Sequence, residues 1–181
     1  MWTYFWAHSM YHLTRWFPQN NRAKIRVIIL IFSAGVLFPQ FFVMTRDHSG
    51  RYCGQNLLEF LIATIVFTLM MIGFTFIFTI MEPVPREVKL AFHVFGIVTF
   101  VFGCISTILT SLAGDCSQTT EELYYFSLAM AIASMCAIAF FAVMVPFWLI
   151  NWRWKKSVLD VQNRTGLCYE PVNCCQCLWH I

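Results

Sequence analysis

Four uninterrupted apolar runs constrain this chain more than any other feature. They cover approximately 24–44, 57–81, 88–112 and 124–152. A helix needs roughly 20 apolar residues to cross a bilayer, and every run reaches that length. The runs are continuous rather than alternating, and far longer than a ~10-residue barrel strand. In lipid each backbone amide must find its partner within the segment or on a neighbour, which leaves helix as the available form. Composition agrees. Of 181 residues, 59% are hydrophobic and 12% charged, about half the charged share of a soluble domain. None of the runs has the layout of a cleavable signal peptide.

Ten of the twelve Lys and Arg residues flank the runs on one side: Arg15, Arg22, Lys24, Arg26, Arg86, Lys89, Arg153, Lys155, Lys156 and Arg164. Only Arg46 and Arg51 fall in the two opposite loops. The positive-inside rule therefore places both termini in the cytoplasm. Asn163, in "NRT", is a glycosylation sequon that would need a lumenal tail, and it is read as a chance match. The expected fold is an all-α membrane protein, a four-transmembrane antiparallel helix bundle. It divides into a cytoplasmic aromatic-rich segment (1–23), the transmembrane domain (24–152) and a cytoplasmic basic, Cys-rich tail (153–181). Pro39 and Pro146 lie near span ends, where a kink costs little.

The N-terminal segment holds Trp2, Tyr4, Phe5, Trp6, Tyr11, Trp16 and Phe17. Trp6, Met10, Leu13 and Phe17 share one helical face, and His8, His12 and Arg15 another. That pattern is expected of an amphipathic helix lying in the membrane interface. His8 and His12 have the i, i+4 spacing of paired metal ligands, but no third ligand stands nearby in sequence. Histidines at headgroup level are the expected reading.

Each outer loop carries one cysteine, Cys53 and Cys116. In an oxidising compartment such a pair is expected to form a loop-to-loop disulfide. The tail carries Cys168, Cys174, Cys175 and Cys177. Zinc would use these with His180, yet only one Cys-x-x-Cys is present. A redox dithiol would stand too far past the last span. S-acylation is the expected use, since juxtamembrane cysteines beside basic and aromatic residues suit it. Arg153, Lys155 and Lys156 would then meet anionic lipid headgroups.

Inside the spans, Gly96, Gly103, Ala129, Ala133 and Ala137 are the candidate helix-packing residues, since small side chains let backbones approach. Packing within the bundle is expected ahead of an oligomer interface. Glu59 and His93 are the only ionisable side chains clearly within spans. A helix N-terminus accounts for the first, and one hydrogen bond satisfies the second. No span reads as carrying a polar stripe. No catalytic constellation, metal site or cofactor site is expected, and the positive charge follows topology rather than a nucleic-acid groove.

The layout of four spans, cytoplasmic ends, short outer loops and compact size resembles that of the MARVEL-type tetraspan proteins. The resemblance covers roughly 24–152. It implies a non-enzymatic role in organising membrane at vesicles, cell junctions or sites of apposition and fusion, at the plasma membrane or in secretory-pathway vesicles. Expected partners are membrane lipids and other membrane proteins, or a second copy met through helix faces. No small-molecule substrate is inferred. The alternative is an auxiliary subunit of a channel, receptor or transporter.

Overall fold

A computed structural model describes residues 1–16, 22–47, 49, 53–81 and 84–153. Among the described residues every regular element is an α-helix: α1 (Trp2–Trp16), α2 (Arg22–Gly35), α3 (Leu37–Met44), α4 (Leu57–Ile80), α5 (Arg86–Leu112), α6 (Cys116–Thr119) and α7 (Glu121–Arg153). Four stretches are long and apolar enough to cross a membrane: Ala23–Met44, Leu57–Ile80, Arg86–Leu112 and Glu121–Pro146. The apolar runs thus reappear as four long helical stretches.

The first stretch is broken between α2 and α3. Pro39 has no N–H for the Gly35 carbonyl four residues back, and its ring crowds that carbonyl. The helix therefore interrupts at Val36 rather than at the proline itself. Beside the break, Gln40 Nε2 donates to the Val36 carbonyl at 3.3 Å. α5 begins directly after Pro85, with Glu87 in its first turn. α7 begins with Glu121 and Glu122, carboxylates that favour a helix N-terminus.

α5 and α7 pack along each other, while α4 receives α2, α3 and α1. Two apolar cores result. One lies at the end where α3 stops and α7 starts, and contains Val43, Leu57, Leu61, Ile65, Ala113, Cys116 and Leu123. There Cys53 and Cys116 form a disulfide, with Cα atoms 5.2 Å apart, so the loop pairing expected from the sequence is present. Gly54 next to it has φ +89°, a left-handed conformation that a side chain would strain. This is called the disulfide end below.

The second core lies toward the opposite end and joins Ala7 and Tyr11 of α1 to Met71, Phe78, Val84, Phe92 and Phe95. Here the structure differs from expectation. α1 is helical as the periodicity implies, but it packs among α2, α4, α5 and α7 instead of lying along the outside of the bundle. Its buried line is Thr3, Ala7, His8, Tyr11 and Thr14, of which the two expected faces contained only His8. The physical reason is closeness: where two helix backbones approach, small side chains such as Thr3, Ala7 and Thr14 must stand between them. The large aromatics then flank that line and interleave with phenylalanines of the spans.

Candidate functional site

The site is the centre of the bundle, where the first turn of α1 meets α5. The Met1 amine donates to the Thr99 carbonyl at 2.8 Å, and Thr99 is at the midpoint of the 27-residue α5. The first turn of α1 therefore lies some 20 Å along α5 from Arg86, at ~1.5 Å per residue. The helix fills the half of the bundle away from the disulfide and stops at mid-depth.

Several contacts hold it there. The Tyr4 ring stacks on Phe92 at 4.4 Å and meets Phe141 at 5.3 Å. Phe5 meets Phe140 edge-on at 5.1 Å, and Tyr11 meets Phe78 at 5.5 Å. Edge-to-face and offset pairs of this kind contribute about 0.5–1.5 kcal/mol each beyond area burial. Trp6 Nε1 donates to Ser33 Oγ of α2 at 2.9 Å, which gives the indole N–H a partner.

Two glycines make the approach possible. A Cβ on Gly96 would stand 2.7 Å from Tyr4 Cε2. A Cβ on Gly103 would stand 3.2 Å from the Met1 nitrogen and 3.5 Å from Ser134 Cβ. Gly96 therefore faces α1, and Gly103 faces both Met1 and Ser134 of α7. A Cβ on Gly73 would meet nothing within 4 Å. On α7, Ala137 is buried, Ala133 half-buried and Ala129 exposed. Positions four apart drift around a helix of 3.6 residues per turn, and the buried line of α7 runs through Ala131, Ser134 and Ala137.

Between the tip of α1 and the disulfide end lies a cavity of about 30 Å³, enough for one or two waters. Met1, Trp2 and Thr3 close it on one side. Its polar lining comes from Thr64 of α4, from Thr99, Ser106 and Thr110 of α5, and from Ser127 and Ser134 of α7. Thr64, Thr99 and Ser106 donate to carbonyls of their own helices at 2.8, 3.0 and 3.1 Å. Each hydroxyl oxygen keeps acceptor capacity.

This polarity corrects the reading that no span carries a polar stripe. Thr64, Thr68, Thr75 and Thr79 form a buried line down α4. Gln40 is fully buried against it. Its Nε2 donates to Thr68 Oγ1 at 2.9 Å, and Thr68 in turn donates to the Thr64 carbonyl at 2.8 Å. The spacing of the threonines, at 3.6-residue multiples along one face, was the signal in the sequence that would have found them.

The two intraspan ionisable groups lie apart from this centre. Glu59 is exposed, with Asn56 Nδ2 donating to its Oε2 at 3.2 Å. His93 is exposed, and its Nδ1 hydrogen-bonds the Lys89 carbonyl. His8 is only 5% exposed, so it is placed inside the bundle rather than at a polar surface. Cys168, Cys174, Cys175 and Cys177 lie outside the described residues, as do Lys155, Lys156 and the side chain of Arg153.

Comparison with protein-family models, with curated proteins and with solved structures finds no match.

Proposed function

We propose that this chain is a multi-pass membrane protein of tetraspan type, with both termini cytoplasmic, that organises membrane through lateral contacts. Its expected places of action are vesicles, cell junctions or sites of membrane apposition. The observation that supports this reading is the apolar outer surface of the helices. Phe38, Ile97, Ile108 and Val143 expose 75%, 67%, 59% and 62% of their surface, on three of the four helical stretches. Such side chains are at ease in hydrocarbon and leave lateral packing as the means of association. The loops at the disulfide end are short and tied together by Cys53–Cys116, which restricts recognition beyond the membrane to shallow contacts. A MARVEL-type layout and S-acylation of the tail cysteines belong to the same proposal.

The test is photo-cross-linking in native membrane from Ile97 and Ile108, each replaced by a diazirine amino acid, with buried Phe95 as control. Lipid adducts together with self-adducts or several membrane neighbours support the organiser reading. Stoichiometric capture of one larger membrane protein supports an auxiliary subunit instead. Selective solute flux in proteoliposomes of the purified chain overturns both.

A further inference from the structure

The geometry points to a transition-metal site on α1, formed by the imidazoles of His8 and His12 and taking a divalent ion such as zinc or copper. This goes beyond the membrane-organiser reading and does not depend on it.

The two residues are one helical turn apart, and their Nε2 atoms converge to 3.1 Å. An ion bound to both at about 2.0–2.1 Å, with an angle between square and tetrahedral, needs nitrogens about 2.9–3.4 Å apart. The pair stands at that separation without any rearrangement. The ring planes are 71° apart and the centroids 4.5 Å, so the rings meet edge-on rather than stacking face to face.

Both rings are held by their surroundings. His8 is packed edge-on against Phe141 at 5.6 Å and beside Tyr4 at 6.1 Å. His12 is crossed edge-on by Tyr11 at 4.9 Å. A pair already fixed in rotamer loses little freedom when an ion arrives. His12 is half-buried where His8 is buried, so the ion reaches the pair from the His12 side.

The donor set names the ion class. Imidazole suits zinc, copper and nickel rather than magnesium or calcium. Among the described residues no group of three or more His, Cys, Asp or Glu comes together. Further ligands complete the shell. In the metal-free pair the two Nε2 atoms share one hydrogen bond at 3.1 Å. An ion takes both Nε2 lone pairs while each ring keeps its one proton on Nδ1, and protonation to imidazolium competes with the ion, so binding weakens as pH falls.

The experiment uses the full chain in lipid nanodiscs, with Cys168, Cys174, Cys175 and Cys177 changed to Ser to remove the tail thiols. Cobalt(II) is the probe, because its visible bands separate nitrogen from thiolate ligation. One equivalent of cobalt with nitrogen-type bands is expected, displaced by zinc. His8→Gln and His12→Gln, which retain a hydrogen-bonding side chain, should each weaken binding about tenfold or more, since a single imidazole remains. His93→Gln should leave it unchanged. In the unaltered chain, zinc should slow acylation of His8 and His12 by diethyl pyrocarbonate, read peptide by peptide, whatever the fate of the variants. Failure to bind cobalt stoichiometrically, binding that survives both glutamine variants, or equal acylation with and without zinc overturns the proposal.

Discussion

Replacing Gly96 by alanine adds one methyl where α5 packs against Tyr4 of α1. Its carbon would stand 2.7, 2.9 and 3.1 Å from Tyr4 Cε2, Cδ2 and Cζ, well inside van der Waals contact. The ring cannot simply turn aside, because Phe92 stacks on it at 4.4 Å and Phe141 bounds it at 5.3 Å. Overpacking of this kind costs about 1–3 kcal/mol. Alanine returns roughly 0.5–1 kcal/mol through its better helix propensity, so a net penalty of about 0.5–2 kcal/mol falls on the docking of α1. That corresponds to a docking equilibrium weakened roughly 2- to 30-fold. The assay is the alkylation rate, in native membrane, of a thiol introduced by Ala7→Cys, a position with no exposed surface. Adding Gly96→Ala should raise that rate by the same factor. Gly73→Ala, where a Cβ meets nothing within 4 Å, should not raise it. Tyr4→Leu should restore slow alkylation to the Gly96→Ala background, as expected for coupled neighbours. Equal rates in the Gly96 and Gly73 variants would refute the reasoning.

Three further outcomes follow from the contacts described. Cys53→Ser should lower stability by about 4 kcal/mol through lost loop-closure restraint on the unfolded chain, because the bridge closes a separation of 63 residues; thermal unfolding in detergent with and without reductant checks it. Thr68→Val leaves the fully buried Gln40 amide without its hydroxyl partner and should cost about 1–3 kcal/mol. The double variant with Gln40→Leu should cost less than the sum of the two single changes, and strict additivity in an unfolding titration would contradict the network. Arg46→Ala breaks a 3.0 Å ion pair to Glu122 whose side chains are half exposed, so the melting temperature should move little, in keeping with the ~0–1 kcal/mol of surface pairs.

The four long helices and the Cys53–Cys116 bridge were legible in the sequence because each rests on a simple constraint. Length and continuity of apolar residues dictate the first, and one cysteine per outer loop the second. The role of α1 was not legible. An aromatic-rich helix with histidines on one side satisfies an interface and a packed bundle about equally well. Only the partner surface separates the two, and that surface is built from Phe74, Phe78, Phe92, Phe95, Phe140 and Phe141 on three other helices. Gly96 and Gly103 were recognised as residues of close approach, but sequence does not say which helix approaches. The buried line on α4 escaped for another reason. Threonine hydroxyls bond to their own helix carbonyls, as Thr64 does to Phe60 at 2.8 Å, so threonine sits in apolar segments without the charge that marks a functional stripe. Gln40 lay near a span end, beside Pro39, where a polar side chain raises no question until the helix is seen to break there.

The placement of α1 inside the bundle is tested most directly by photo-cross-linking from a benzoylphenylalanine replacing Phe5, in the native membrane. Phe5 faces Phe140 at 5.1 Å and Phe141 at 6.1 Å, so a helix packed in the bundle gives intramolecular adducts on the α7 peptide that contains those residues. A helix lying along the leaflet gives adducts to lipid headgroups and acyl chains instead, and that result would contradict the structure described here.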